Sequence, residues 1–525
     1  MGRIVRASRL RAGIKAGALL LALSPAAALA QPAIGAGCEA AGSQCFQLNA
    51  VSLEGLTAYK PGELAPLYAP YLTRDVSVAD LAVIAQAITD KYRSEGFFLS
   101  RAAVPPQLRG GHVARIMVYE GYISEVVVKG SGAKVVNRYL KDLSGRRPLR
   151  LADLDRRLTL AKDEPGLRIK TQLEPDLDDP AKHRLVVTAE TDRVSTYVSI
   201  DNRGAKDSGP WQAYLRTAIN STLRAGDQLS LAILTVPYAM RAFAYAEIGY
   251  ALPLGGAGTR LRGLFSVFRA HDGANPATVR AGSESWTGAL NLFQPLWRTR
   301  KVNLWAQLSA NTRHVEQDWN GGGGGYADEV RALRGMISAT YSPPGNSTNL
   351  FAQVSTGERD NARTFLSRSD AAKDFSKLNL HASHYRDLGK HAGVYVTADG
   401  QWSRDRLLAS EEFTAGGSSY GRGYNYAEIG GDQGIAASAE IRAGFKPDIP
   451  GVSFLQGYGF IDAARVWNYR PGGQTRDYLT SVGVGTRVRF GDRTTLGFEM
   501  AKPINRTPYD RNKAWRPFLY LSSTF

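Results

Sequence analysis

From residue 194 onward, apolar and polar residues alternate in short runs, as they do in β-strands with one apolar and one polar face. One run has its apolar positions at Val302, Leu304, Ala306, Leu308 and Ala310. Another has them at Ile435, Ala437, Ala439, Ile441, Ala443 and Phe445, opposite Ser438, Glu440, Arg442 and Lys446. Because the polar faces carry full charges, we expect them to face water.

Runs of this kind predict sixteen strands. They lie near residues 194–202, 211–219, 227–236, 241–251, 259–269, 284–294, 301–312, 328–341, 347–356, 375–386, 390–402, 435–446, 453–463, 478–490, 493–501 and 515–525. An even number of antiparallel strands is typical of bacterial outer-membrane barrels.

The connections between these strands alternate in length. Short ones are expected near 220–226, 295–300, 342–346, 387–389, 447–452 and 491–492. Long ones are expected near 203–210, 313–327, 357–374, 403–434, 464–477 and 502–514. Short turns on one rim and long loops on the other favour an outer-membrane barrel. A large soluble β-sandwich would also alternate, but it explains neither this asymmetry nor a final strand that ends at Phe525.

The segment before the barrel contains an internal repeat. Residues 46–120 read as a strand, a helix that starts at a capping box formed by Ser77 and Asp80, and two further strands. Residues 121–192 repeat this order. The sequence therefore predicts a mainly β protein, in which two α+β domains precede a sixteen-stranded antiparallel transmembrane barrel at 193–525.

The N-terminus has the composition of an export signal. Basic residues precede an apolar run at 16–23 and the tripeptide 28–30 is Ala-Leu-Ala, which predicts a signal peptide at 1–30 and a short segment at 31–45. The rest of the sequence has no apolar run near the roughly 20 residues that a membrane-spanning helix needs. The chain is therefore expected to leave the cytoplasm.

Composition excludes several classes of function. The chain has 65 Lys and Arg against 48 Asp and Glu, a formal charge of +17. These basic residues alternate along strands instead of forming a patch, so we expect lumen lining and lipopolysaccharide contacts and no nucleic acid. Catalytic and metal-binding motifs are missing from the sequence, which predicts a non-enzyme without cofactor or metal. In an oxidising compartment, a Cys38–Cys45 disulfide is favoured over metal binding or free thiols.

The longest predicted loop, 403–434, contains a glycine-rich run at 416–424, in which Arg422 stands between Gly421 and Gly423. Flanking glycines allow a tight backbone from which the guanidinium projects. Read alone, the loop is better explained as a glycine-rich extracellular loop with an incidental arginine. Asp462, however, lies where alternation allows a side chain to face the lumen, and an unpaired charge there is costly. We therefore predict an Arg422–Asp462 pair that folds the loop inward.

Four features together resemble the outer-membrane transporters of two-partner secretion, the TpsB family, which belongs with BamA in one superfamily. The two repeated units resemble POTRA domains, and the run 199–204 resembles the first barrel strand of the family. The run 420–424, Tyr-Gly-Arg-Gly-Tyr, resembles the motif at the tip of its inward-folded loop. The run 460–462, Phe-Ile-Asp, resembles the motif whose acid pairs with that arginine.

The resemblance implies roles for individual residues. Arg422, Gly423, Tyr424, Phe460 and Asp462 would anchor the loop and gate the pore. Charged strand residues would line the lumen, namely Glu440, Arg442, Arg487 and Arg489. The terminal Phe525 would be the signal read by the barrel-assembly machinery.

Three departures from the family pattern stand out. Ala464 replaces a usual glycine and Gly421 a usual hydrophobic residue, and neither change removes the charged pair. Many relatives carry a pore-plugging helix before the first POTRA domain. Residues 31–45 are short and glycine-rich, so we expect no such helix here.

The function implied is secretion. A monomeric outer-membrane pore with periplasmic POTRA domains would bind a TpsA-type exoprotein, an adhesin, haemolysin or contact-dependent toxin, and pass it outward. A free POTRA sheet edge could capture it by strand addition. The alternative is a BamA-type assembly factor that inserts other barrels. A diffusion porin would explain sixteen strands but needs no POTRA repeat.

Overall fold

The computed structural model describes residues 45–107, 112–204, 209–240, 242–271, 282–319, 324–360, 365–508 and 511–525. The chain forms two compact units. The first comprises residues up to Thr89 together with Ala102–Val118, and the second comprises Asp90–Arg101 and Tyr119–Phe525. The predicted signal peptide at 1–30 and all of 31–45 except Cys45 lie outside the described residues.

The first unit contains most of a small α+β fold. Its elements are β1 Phe46–Leu48, β2 Ala50–Glu54, α1 Pro61–Leu64, β3 Arg74–Val76, α2 Val78–Ser94, β4 Arg101–Ala103 and β5 Val113–Tyr119. The last residues of α2, the first of β4 and the last of β5 belong to the second unit. A three-stranded sheet has the order β2, β5, β4, with β2 parallel to β5. Helix α2 turns Leu81, Ile84 and Ile88 into the core, because these residues recur at helical spacing.

The predicted capping box is present at the start of α2. The Ser77 hydroxyl accepts a hydrogen bond from the Asp80 amide at 3.3 Å, and the Asp80 carboxylate accepts one from the Ser77 amide at 2.8 Å. Both residues are buried. The box pairs amides that the first turn of the helix would otherwise leave without partners.

The second unit begins with an equivalent fold. Its elements are β6 Tyr122–Lys129, α3 Ala133–Leu140, α4 Leu151–Lys162, β7 Leu167–Pro175 and β8 Lys182–Thr191. The sheet has the order β6, β8, β7, with β6 parallel to β8. Both helices pack on this sheet through Val136, Leu140, Leu154 and Leu158. The sequence pattern predicted α4 but missed α3.

Sixteen strands then close into an antiparallel barrel, which confirms the predicted fold class. They are β9 Val194–Asp201, β10 Gln212–Asn220, β11 Gln228–Thr235, β12 Phe243–Leu254, β13 Thr259–His271, β14 Gly282–Arg298, β15 Val302–Trp319, β16 Gly324–Tyr341, β17 Asn346–Arg359, β18 Asp374–Asp387, β19 Ala392–Ser403, β22 Gln433–Phe445, β23 Val452–Arg470, β24 Gly473–Phe490, β25 Thr494–Pro503 and β26 Arg516–Thr524. Two short strands, β20 Phe413–Ala415 and β21 Ile429–Gly431, pair inside the longest connection.

The barrel closes where β26 pairs with β9, from Tyr520 opposite Asp201 to Thr524 opposite Tyr197. Strand alternation gives the wall two different surfaces. Apolar side chains on the outside are exposed, for example Leu308, Ile441 and Val484, as a membrane-facing surface requires.

Two predicted long loops are wrong. Most of 313–327 lies in strands, because β15 continues to Trp319 and β16 begins at Gly324. Residues 464–477 do not form a long connection, because β23 continues to Arg470 and β24 begins at Gly473. The two strands form a long hairpin with a turn at 471–472. The longest connection is 404–432, which falls within the predicted 403–434.

We predict that Ser77→Ala weakens α2 by about 1 kcal/mol, because the substitution removes the side-chain acceptor at the helix start. Hydrogen exchange of the first-turn amides in the intact protein would measure the loss. Ser94→Ala, at the other end of the same helix, is the control and should leave these amides unchanged. Equal protection in both variants would contradict the capping role.

Candidate functional site

A buried arginine dominates the interior of the barrel. Arg422 lies in the connection 404–432 and is only 5% exposed. Such burial is unusual for arginine and requires ionic or hydrogen-bonding partners that replace water.

Asp462 on β23 is the main partner of Arg422. The two side chains form a bidentate pair, with Nε 3.1 Å from Oδ2 and Nη2 2.8 Å from Oδ1. The backbone amide of Arg422 also donates to Oδ2 at 2.9 Å. Ser481 on β24 donates its hydroxyl to the same carboxylate at 3.0 Å. Asp462 is fully buried and accepts hydrogen bonds at both oxygens.

Two further carboxylates surround the guanidinium. Nη1 lies 2.6 Å from Glu440 on β22 and 3.4 Å from Glu499 on β25, and Nη2 donates to Ser438 at 3.0 Å. Burial opposes the positive charge, but Asp462 and these two glutamates outweigh it and raise the pKa of Arg422 above its ordinary value. The guanidinium therefore stays charged. Arg422, Ser438, Glu440, Asp462 and Glu499 are called the tip anchor below.

An aromatic ring completes the surroundings of Arg422. The guanidinium carbon lies 3.4 Å from the centroid of the Phe460 ring, within cation–π distance. Phe460 and Asp462 are two residues apart on β23 and so share a face. The structure thus brings together Arg422, Phe460 and Asp462.

The tip anchor lies on the inner side of the wall. Its strand residues alternate with exposed apolar residues of the same strands, such as Ile441, Ile461 and Phe498. Since neighbouring residues of a strand point to opposite faces, the charged side chains point into the lumen. The connection 404–432 therefore enters the barrel.

Close contacts explain the glycines and the tyrosine beside Arg422. A Cβ on Gly423 would lie 2.7 Å from the Pro503 nitrogen, so only glycine fits against this backbone, and Gly421 has φ of 80°. The Tyr424 ring is buried, and its hydroxyl donates to the Asn505 carbonyl at 2.7 Å.

The predicted lumen residues occupy different places. Glu440 belongs to the tip anchor and also pairs with Arg442 at 2.7 Å and Arg487 at 3.5 Å. Arg487 stacks on the ring of Tyr458 at 3.9 Å. Arg489 lies near the end of β24, exposed and 5.7 Å from the ring of Phe454, outside the cluster.

Sequence reasoning missed Glu499 and its other partners. Glu499 accepts hydrogen bonds from Arg203 at 2.6 Å and from the Tyr458 hydroxyl at 2.9 Å. A usable signal existed, because Glu499 lies between Phe498 and Met500 in a strand and alternation directs it inward. Its partners could not be read from one sequence, because barrel closure brings them together.

The remaining predicted residues lie at the chain ends. The Phe525 amide donates to the Thr196 carbonyl at 2.8 Å, and its side chain is 67% exposed. Cys38 lies outside the described residues, so the disulfide with Cys45 stays a prediction. Within the described ranges there is no cluster of metal-ligating side chains, and no helix has the length and apolarity to cross a membrane.

Comparison with known proteins identifies the family to which this architecture belongs. The model of the family described as haemolysin secretion/activation protein ShlB/FhaC/HecB matches residues 184–488, more than half of the chain. The chain belongs to this family. A POTRA-domain model of the ShlB type matches residues 46–121. Members of the family are outer-membrane transporters and not enzymes, and they secrete partner exoproteins across that membrane.

Individual relatives agree with the family assignment. The heme/hemopexin transporter protein HuxB of Haemophilus influenzae is 23% identical over 86% of this chain and 83% of its own length. The outer membrane transporter CdiB of Escherichia coli is 25% identical over 74% of this chain and 68% of its own.

Solved structures share the fold. The structure of CdiB from Escherichia coli superposes with a TM-score of 0.73 at 20% identity, covering 95% of this chain and 93% of the other. BamA from Haemophilus ducreyi superposes with a TM-score of 0.52 at 14% identity, covering 91% of this chain and 100% of the other. The transporter thus has the outer-membrane barrel of its family, with POTRA domains in the periplasm.

We predict that Arg422→Lys loosens the tip of the loop, because an ammonium group cannot make the bidentate contact with Asp462 while also reaching Glu440. Cleavage after Tyr424 by chymotrypsin, in intact outer membranes, should increase. Arg404→Lys, an arginine of the same loop outside the cluster, should leave cleavage unchanged. Protection of Tyr424 in the Arg422 variant equal to that of the parent protein would argue against the anchor.

Proposed function

We propose that the transporter captures one partner exoprotein at its POTRA domains and passes it through the lumen, with the tip anchor as a gate. The observation that carries the gating proposal is the burial of Arg422 among three carboxylates from three strands. Contacts of this kind hold a loop in a defined position and can be exchanged for water or for polar groups of a passing chain.

Capture is supported by the exposed elements of the POTRA domains. The three-stranded sheets end at β2 and β4 in one domain and at β6 and β7 in the other, and an extended peptide can add to such edges through backbone hydrogen bonds. The first domain also has a cavity of about 420 Å³ lined by Phe46, Val78, Leu81, Val104 and Val113, among others. Apolar side chains of an unfolded partner would fit there.

Polar groups on the inner wall suit a chain that slides without stable binding. Arg442 and Arg487 share Glu440, and both lie over tyrosine rings, Tyr395 at 4.3 Å and Tyr458 at 3.9 Å. These groups are partly exposed and keep the lumen wet. Arg489 adds a charge toward the end where β24 meets the periplasmic turn.

The outer surface supports contacts with outer-membrane lipids, including lipopolysaccharide. Two arginines near the extracellular rim lie beside tryptophans, Arg404 at 5.2 Å from the exposed Trp402 and Arg465 at 5.4 Å from the half-buried Trp467. Such pairs suit an interface with phosphorylated lipid headgroups. We further propose that the transporter works as a monomer and that the barrel-assembly machinery recognises the strand ending at Phe525.

We predict that Arg422→Ala reduces secretion of one exoprotein while the barrel still inserts, because the substitution removes the contacts of the guanidinium with Asp462, Glu440 and Glu499. The test compares extracellular and outer-membrane proteomes of cells carrying either the parent or the variant. Arg406→Ala, which removes an exposed arginine of the same loop, is the control. Normal export by the Arg422 variant would refute the gate, and a general loss of barrels would indicate an assembly factor of the BamA type.

A second prediction tests capture. Val78→Glu places a charge in the cavity of the first POTRA domain at a side chain that is 49% exposed, so the fold should survive. Val83→Glu alters a similarly exposed valine of the same helix that does not line the cavity, and it serves as the control. Secretion should fall only for Val78→Glu. Equal secretion by both variants would exclude this cavity from capture.

A further inference from the structure

The connection 404–432 has a second ionic cluster at its base. Asp432 is fully buried just before β22. Its Oδ1 accepts hydrogen bonds from Arg368 at 2.6 Å and from the Leu407 amide at 2.7 Å, and its Oδ2 accepts one from the Tyr469 amide at 2.8 Å. One carboxylate thus joins both ends of the connection to the hairpin of β23 and β24.

Arg368 belongs to the neighbouring extracellular loop, 360–373, and is 7% exposed. Besides Asp432, its guanidinium donates to Asp370 at 2.9 Å and to the carbonyl of Tyr469, and it lies 3.6 Å from Glu412. The neighbouring loop is therefore part of the same cluster.

Glu411 fixes the first arm of the connection to the barrel wall. Its carboxylate, 4% exposed, pairs with Arg334 of β16 at 2.7 Å and with Lys377 of β18 at 2.8 Å. Its carbonyl accepts hydrogen bonds from Lys377 at 2.7 Å and from Gln401 of β19 at 3.0 Å. Three wall strands hold this one residue.

Apolar packing reinforces the ionic contacts at the base. Leu407 and Leu408 are buried against Val330 and Ala332 of β16 and Phe375 of β18. The second arm is also held, since the Asn468 side chain donates to the Gly430 carbonyl at 2.8 Å. Arg334, Arg368, Asp370, Lys377, Glu411, Glu412 and Asp432 are called the base anchor.

The base anchor and the tip anchor are joined by a segment that can bend. Strands β20 and β21 close a stem, and the chain leaves it through Gly416 and Gly417, with φ of 119° and 94°. Glycine adopts these angles without strain, which allows a hinge at this point. The tip anchor and the base anchor have no residue in common. The contacts of either one can therefore be broken while those of the other stay intact.

We propose that the loop is hinged, with a stem at 404–415 and 429–432 that stays on the wall and a tip at 416–428 that moves. Arg368 and Asp432 are positioning residues that keep the stem out of the exit path while the tip leaves. The inference rests on the proposed gating function. It adds that residues 365–373 of the neighbouring loop are a fixed part of the extracellular mouth.

Distances between spin labels would test the hinge in the purified full-length protein. One label pair joins the stem to the rim, through Thr414→Cys and Trp319→Cys, and another joins the tip to the same rim position, through Tyr426→Cys. In the Arg422→Ala background we expect a broadened tip distribution and an unchanged stem distribution. Adding Arg368→Ala should broaden the stem distribution too, whereas adding Arg406→Ala, an exposed arginine paired with the same Asp370, should not.

The possible outcomes test the fixed stem, the base anchor and the gate separately. Stem distances that broaden together with the tip in Arg422→Ala alone would overturn the fixed stem. An unchanged stem after Arg368→Ala would overturn the base anchor. If the tip stays fixed in Arg422→Ala, the gate fails, while the comparison of Arg368→Ala with Arg406→Ala in that background still tests the anchor. The single-channel conductance of a variant should change when the distance distribution of its tip label pair changes, and it should stay the same when that distribution does not change.

Discussion

The interior of this barrel is organised around one buried cation. A guanidinium removed from water needs opposite charge within a few ångströms, and one carboxylate would leave several of its five donors without partners. Asp462, Glu440 and Glu499 meet this need from three strands. A shift of one residue in any of these strands would turn its carboxylate toward lipid. The position of Arg422 therefore depends on the register of the wall.

The same requirement shapes the loop that carries Arg422. The guanidinium reaches Asp462 only if the backbone comes against the wall, since the Arg422 amide itself donates to that carboxylate. Gly423 permits the approach, because any Cβ there would collide with the backbone at Pro503. The glycine-rich composition of the tip is thus a consequence of close packing and not a sign of a free loop.

Alternation predicted the barrel well wherever one strand face meets lipid and the other meets water. It failed at 313–327 and at 464–477. In the second segment, the residues Asn468, Gln474, Thr475 and Arg476 break the apolar pattern. These residues extend the hairpin toward the extracellular end, where we infer that both faces meet water and selection for apolar residues ends. The pairing of Arg422 with Asp462 was predictable because each charge was isolated in its own segment. The contribution of Glu499 was not, because it depends on which strands become neighbours.

The two ends of the loop are held by separate sets of buried contacts. At the tip, Arg422 meets three carboxylates, and the rings of Tyr420 and Tyr424 are buried in an apolar cluster with Leu479. At the base, Glu411 and Asp432 meet basic side chains, and Leu407 and Leu408 are buried against β16 and β18. Both ends therefore combine ionic contacts with apolar burial, which polar groups cannot replace. Because no residue belongs to both sets, the contacts of the tip can be lost while those of the base stay intact. The separation of the two sets, and not a difference in their kind, is what lets the end that blocks the pore move while the end that shapes the mouth stays fixed.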